Sequence, residues 1–289
     1  MIYALGDSFT KWHWFTWADW MSHYLKSPVK NLAYPGLTND AIYWSLINLQ
    51  PKLTAQDKVY IMWTGTNRVC QWYDAEYVQT RELSNFFPDT KGKLWFGENY
   101  RGLYKTHPDH LPSMTHMIVS TIDTIFKSQM LLNNIGCEYV MMFWQNPWAD
   151  TREIFVPNFQ ATWPSKPGKL TKIESINAEE ILSMPVIKNI MSQINWNKFI
   201  GVPNPNDAKN YQGLWEFTLK NPELVLNKHQ TDNHPNVLAQ HDWYTEMIAP
   251  ETNPVHRSQA QDQAKQFINY ALPDLDYRTL GVQAITEQN

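Results

Sequence analysis

The chain predicts an α/β fold, a three-layer α/β/α sandwich around a mainly parallel sheet of about five strands, and three observations carry that prediction. Short apolar runs alternate along the sequence with longer segments of helical periodicity. One run, Cys137-Glu138-Tyr139-Val140-Met141-Met142-Phe143-Trp144, is apolar almost throughout, as a strand covered on both faces requires. Three of the runs close on turns that contain glycine, at the sheet edge where open α/β folds hold their ligands.

The elements follow in order. Residues 1 to 5, Met1-Ile2-Tyr3-Ala4-Leu5, form the first strand, and Gly6 permits a tight turn into Asp7-Ser8-Phe9-Thr10. Further strands are predicted at residues 28 to 33, 57 to 64 and 137 to 144, with Trp196 to Ile200 as a fifth, edge strand. Asp40 to Leu49 reads as a helix that Asn39 can cap. Met114 to Asn134 keeps helical spacing and stops at Gly136. Val237 to Ile248, Ala178 to Ile194 and Val255 to Leu272 are also helix-like. Strands and helices that alternate in this way imply right-handed crossovers and a parallel sheet.

At 289 residues the chain is long for one such core, and a single domain over 1–289 with additions is expected. Two stretches, at about 86–112 and 146–172, are too irregular for the minimal core and read as insertions near the site. Asn146 to Lys172 is rich in proline and carries Trp148, Phe155, Phe159 and Trp163, the composition of a wall or lid over a pocket or of an oligomer contact. Residues 273–289 form a C-terminal tail.

Composition narrows the function. The formal charge of −4 comes without a basic stripe, which argues against a nucleic-acid partner. No stretch is apolar and long enough to span a membrane. The start runs directly into a strand with no basic leader, so a cytoplasmic, particle-borne or already trimmed protein is expected. With Cys70 and Cys137 alone, no disulfide framework is expected.

Chemistry enters at Ser8, which stands at the end of the first strand where a nucleophile can meet backbone donors. The candidate base is His234, in Thr231-Asp232-Asn233-His234-Pro235-Asn236, with the carboxylate of Asp232 two residues earlier as a candidate orienting group. Candidate oxyanion donors come from Asn31-Leu32-Ala33-Tyr34-Pro35-Gly36-Leu37-Thr38-Asn39 and from Val59-Tyr60-Ile61-Met62-Trp63-Thr64-Gly65-Thr66-Asn67. Each closes a predicted parallel strand.

With Ser8, Gly36, Asn67 and His234 in that order, the chain resembles the SGNH, or GDSL-type, serine hydrolases. The resemblance implies a flavodoxin-like three-layer core. It also implies Ser8 as nucleophile, His234 as base with Asp232 as its acid, and an oxyanion hole from the amides of Ser8 and Gly36 with the Asn67 side chain. The matching blocks cover a small part of the chain but span nearly its whole length. Two positions depart from the family pattern. The family's acid lies three residues before the histidine, where this chain has Thr231, and its asparagine is followed by aspartate, where this chain has Arg68. A cation there favours an acidic substrate group or pairs with a nearby carboxylate.

The 14 tryptophans are unusual and crowd the same blocks: Trp12, Trp14, Trp17 and Trp20 after the candidate nucleophile, Trp63 and Trp72 about the asparagine, Trp144 and Trp148 at the close of the fourth strand. Core packing accounts for most of them. Trp12 with His13, together with Arg68 and Trp148, are the expected substrate-binding residues. Asp7 is expected to bond the backbone of its turn rather than act as an acid. His107, His110 and His116 show no regular ligand spacing, so no metal is expected, and His241 is expected to be structural.

The expectation that follows is a serine esterase that needs no cofactor and hydrolyses small acyl esters. The family includes carbohydrate O-acetylesterases, so a glycan O-acetyl ester is the first substrate class and a lipid ester the second. Many Asn, Gln, Trp and Tyr with few Gly and Ala resemble phage proteins, which makes a virion-associated deacetylase one setting. A non-hydrolytic glycan-binding module and an O-acyltransferase on the same fold are the alternatives.

Overall fold

The computed structural model describes residues 1–12, 14–66, 68–73, 93–98, 114–148, 178–201, 212–220 and 234–268. Their strands are β1 (Ile2–Leu5), β2 (Val29–Asn31), β3 (Lys58–Trp63), β4 (Arg68–Tyr73), β5 (Lys93–Glu98) and β6 (Glu138–Phe143). Their α-helices are α1 (Trp17–Leu25), α2 (Asn39–Leu49), α3 (Met114–Ile135), α4 (Ala178–Ser183), α5 (Pro185–Gln193), α6 (Leu214–Leu219), α7 (Val237–Trp243) and α8 (Pro254–Ile268), with one π turn over Tyr244–Ile248 after α7. No helix among the described residues is long and apolar enough to cross a membrane.

The main sheet has four strands in the order β2-β1-β3-β6, all parallel. Ile2 lies opposite both Val29 and Lys58, and Lys58 lies opposite Glu138, so the carboxyl ends of β1, β3 and β6 come out on one edge. The chain passes from β1 to β2 on one side and then to β3 on the other. The crossover direction therefore reverses at β1, and in such sheets the crevice for a ligand opens there.

Period-two alternation sends strand residues into two separate cores. Leu5, Val59, Ile61, Trp63, Met141 and Phe143 pack with Ile42 and Leu46 of α2, Ile118, Ile122 and Ile125 of α3, and Ile181 and Ile187 of α4 and α5. Ala4, Tyr60, Met62 and Met142 pack with Trp17, Trp20 and Met21 of α1, with Leu214 and Phe217 of α6, and with Trp243 of α7. The result is an α/β fold with apolar cores on both sheet faces, compatible with a three-layer α/β/α arrangement.

Several elements depart from the sequence expectation. The fifth strand at Trp196 to Ile200 is a 3-10 turn over Trp196–Lys198 followed by a single bridge between Phe199 and Met141. Asn195 explains the change: its side chain accepts from the Asn197 amide at 3.2 Å and offers the backbone a local partner in place of the ladder. Thr38 caps α2 in place of Asn39, accepting from the Ala41 amide at 3.2 Å, because Asn39 is turned inward to Thr64. The expected helix over Ala178 to Ile194 breaks at Met184, since Pro185 cannot continue a preceding helix and instead starts α5. Part of the expected insertion at 86–112 is strand β5, paired antiparallel with β4 from Arg68 opposite Glu98 to Tyr73 opposite Lys93. Helix α1, which the periodicity reading passed over, buries Trp17, Ala18, Trp20 and Met21 on one face, and the Asp19 carboxylate accepts from the Thr16 amide at 2.8 Å at its start. The insertion at 146–172 beyond Trp148 and the tail at 273–289 lie outside the described residues, as do His13, Asn67 and Asp232.

Candidate active site

The turn that carries Ser8 begins where β1 runs out. Gly6 is required by space: a Cβ there would overlap the Thr10 side chain and come within 3.0 Å of the Met62 carbonyl oxygen. The Asp7 carbonyl accepts from the amides of Thr10 and Lys11 at 3.0 Å, and Asp7 Oδ1 accepts from the Phe9 amide at 3.0 Å, so Ser8 is held inside a closed turn. The expectation that Asp7 bonds its own turn is met.

The Gly36 block reaches the same edge because pairing continues past β2. The Leu32 amide donates to Ala4 O at 2.8 Å and the Tyr34 amide to Gly6 O at 3.2 Å. Tyr34-Pro35-Gly36-Leu37 then turns back through a 3.2 Å bond from the Leu37 amide to Tyr34 O, with Gly36 at φ 88°. Proline followed by a positive-φ glycine is the sequence and backbone signature of a type II turn.

Beyond β3, Thr64 ties three blocks together. Its hydroxyl donates to Asp7 Oδ2 at 2.9 Å and accepts from Trp144 Nε1 at 3.0 Å, and its amide donates to Asn39 Oδ1 at 2.8 Å. Arg68 closes the group, with Nη1 2.7 Å from Asp7 Oδ2, its guanidinium 5.9 Å from the Trp144 ring centroid, and its side chain 9% exposed against 0% for Asp7. Of the two roles open to Arg68, the geometry is that of the pairing: the cation is engaged with the carboxylate of the residue before Ser8. A buried charge needs such a partner, since an ionised carboxylate without one is very costly in the interior.

The far end of the chain supplies the candidate base. Asn236 caps α7, accepting from the Ala239 amide at 2.9 Å, and this fixed start sets the backbone two residues earlier. His234 Nε2 lies 2.7 Å from Ser8 Oγ across 226 residues of sequence. With Nε2 unprotonated the serine hydroxyl donates to it, the arrangement a general base needs. Four more bonds join the segments: Trp14 Nε1 donates to Pro235 O at 3.0 Å, Trp20 Nε1 to Val237 O at 3.3 Å, and Gln240 binds the Trp17 amide at 3.0 Å and Phe9 O at 3.4 Å. Sequence reasoning missed Gln240, which carries no motif and whose partners are backbone groups over 200 residues away.

Aromatic rings surround the imidazole. Trp12 stacks on it with centroids 4.0 Å apart and planes 15° apart, Phe9 lies at 4.9 Å and Trp14 approaches edge-on at 6.5 Å. Phe9 in turn stacks on Trp144 at 4.1 Å. Trp17, Trp20 and Trp63 are fully buried core residues, as expected for most of the tryptophans. Trp148 is partly buried against the α2–α3 core, edge-on to Phe143 at 6.1 Å.

Glu216 anchors the chain after β6. It accepts from the Asn146 amide at 2.8 Å and the Gly213 amide at 3.0 Å. Burial pushes its carboxyl above the ordinary range and outweighs the opposite pull of those backbone bonds. His241 is structural in position: fully buried, with Nε2 2.8 Å from the Tyr24 hydroxyl and Nδ1 2.8 Å from Asp242 Oδ1. Burial pushes Tyr24 up to about 12, so its hydroxyl keeps its proton and can donate to Nε2 while Nδ1–H donates to Asp242. Among the described residues no group of histidine, cysteine and acidic side chains has the makings of a metal site.

No protein-family model and no curated protein matches the chain.

Proposed function

We propose that this chain is a serine esterase of SGNH-hydrolase type, on a flavodoxin-like three-layer core, that hydrolyses small acyl esters of a carbohydrate. The observation that carries the proposal is the 2.7 Å approach of His234 Nε2 to Ser8 Oγ at the carboxyl edge of a parallel sheet. Two groups so far apart in sequence meet in the geometry of nucleophile and base.

In the proposed reaction Ser8 Oγ attacks the ester carbonyl as its proton passes to His234 Nε2. The oxyanion rests on the amides of Ser8 and Gly36 and on the Asn67 side chain. The imidazolium protonates the departing alcohol, and the neutral ring then activates water to release the acid. Asp232 is assigned to orient His234. The roles of Asn67 and Asp232 rest on the resemblance in their sequence blocks. The family that the chain resembles includes carbohydrate O-acetylesterases, which supports a glycan O-acetyl ester as substrate.

The test is hydrolysis of a chromogenic acetyl ester by the wild type and by Ser8→Ala. Turnover that falls by several orders of magnitude in an intact fold is the expected result, because the catalytic residues act as a unit. Undiminished turnover in Ser8→Ala removes the assignment. Acetate release from an O-acetylated polysaccharide then checks the substrate class, and product analysis with a sugar acceptor present separates hydrolysis from transfer.

A further inference from the structure

We propose that Trp12 serves the base and not the substrate: its indole fixes the plane of the His234 imidazole and stabilises the imidazolium that forms when Ser8 gives up its proton. This rests on the esterase reading above. It changes the place of Trp12 in that reading from sugar platform to positioning residue.

Trp12 and His234 lie face to face, 4.0 Å between centroids and 15° between planes. An aromatic ring has two faces, and this indole has committed one of them to the imidazole. The ring so covered is the one whose Nε2 points at Ser8 Oγ. During attack the Oγ–H bond breaks as the bond from Oγ to the acyl carbon forms, and the proton moves to Nε2. The ring then carries a positive charge until it protonates the leaving alcohol. The indole face has the most negative π potential of any side chain and attracts that cation. The attraction exists only while the charge does, so it lowers the barrier and leaves substrate affinity alone.

The surrounding contacts make the stack a fixed one. Trp14, two residues on, holds Pro235 O through Nε1 at 3.0 Å and stands edge-on to Trp12 at 6.1 Å. Phe9 supports the imidazole at 4.9 Å. The short segment after the nucleophile thus grips the base by its ring and by the next residue's carbonyl.

The experiment compares wild type, Ser8→Ala, Trp12→Leu and Trp12→Phe on a chromogenic acetyl ester, with urea unfolding to confirm that each is folded. Trp12→Leu is expected to lower kcat about tenfold with KM changed less than about twofold, and Trp12→Phe to recover most of the loss because phenyl also offers a π face. Unchanged kcat in Trp12→Leu overturns the proposal. A loss confined to KM also overturns it and returns Trp12 to the substrate. A wild type with no Ser8-dependent turnover is the failure of the esterase reading, and a second measurement still decides about Trp12. In proton NMR the His234 ring resonances, identified by their disappearance in His234→Gln, should be displaced upfield by the stacked indole and return in Trp12→Leu. Resonances at the same position in both proteins overturn the positioning whatever the catalysis.

Discussion

Arg68 Nη1 lies 2.7 Å from Asp7 Oδ2, and this buried pair ties the residue before Ser8 to the residue after Asn67. It joins the end of β1 to the start of β4, two elements that belong to different sheets. Thr64 shares the same carboxylate oxygen.

Removing one partner of such a pair should be far worse than removing both. Arg68→Met leaves the Asp7 carboxylate buried with only its hydroxyl and amide donors, and should cost about 3 kcal/mol of stability. Arg68→Met combined with Asp7→Asn should recover a large part of that loss, since no charge is left unpaired. Urea unfolding of the two single variants and the double gives the coupling directly. Additive losses would show that the pair carries no such role.

Gly36 offers a prediction with two readouts. At φ 88° any L-residue is strained, so Gly36→Ala should cost about 1–2 kcal/mol of stability, and Gly36→Val more. Both should also depress turnover if the Gly36 amide serves the oxyanion. Asn67→Ala should reduce kcat about a hundredfold with little change in KM, about 3 kcal/mol taken from the transition state alone. A loss confined to KM would make Asn67 a substrate contact.

Asp232 and His234 should separate sharply. His234→Ala is expected to abolish esterase activity in an intact fold. Asp232→Asn is expected to cut turnover strongly if Asp232 holds the imidazole tautomer, and to be nearly silent if Asp232 only completes the turn before α7. Steady-state kinetics on both variants decides between a triad and a serine–histidine dyad, and full activity in both removes the mechanism.

Glu216 predicts a pH dependence. Its carboxyl is raised by burial in the folded state, so the native protein binds that proton more tightly than the unfolded chain does. Stability therefore falls as pH rises from the ordinary carboxyl range, about 4.3, through the raised folded value, and the loss is complete above it. Glu216→Gln cannot ionise and should lack this component. It loses one acceptor for the Asn146 and Gly213 amides, which is an offset that does not change with pH. The stability of the wild type minus that of the variant, from urea unfolding at successive pH values, should decline with rising pH; a constant difference would rule out the buried-carboxyl account.

Much of this molecule is determined by sequence alone, because strands covered on both faces must be apolar throughout and their turns must contain residues that can make them. β1, β3 and β6, helix α3 ending at Gly136 with φ 77°, and the Gly6 and Gly36 turns all follow from such local rules. Ser8 and His234 were legible for the same reason, each at the boundary of a predicted element. Tertiary structure decided the rest through contacts of long range. Asn39 looks like a helix cap in sequence, yet the interior takes it for Thr64 and leaves Thr38 the cap. Trp196 to Ile200 has the composition of a strand but keeps one bridge, since Asn195 satisfies the local backbone first. Arg68 reads either as a cation for an acidic substrate group or as half of an ion pair, and folding decides by bringing Asp7 to it, 61 residues away. Trp12 reads as a platform for a ligand, and only folding stacks one face of its ring on His234, more than 200 residues on. A side chain's type records what it can bind, and only the folded chain determines which partner reaches it first.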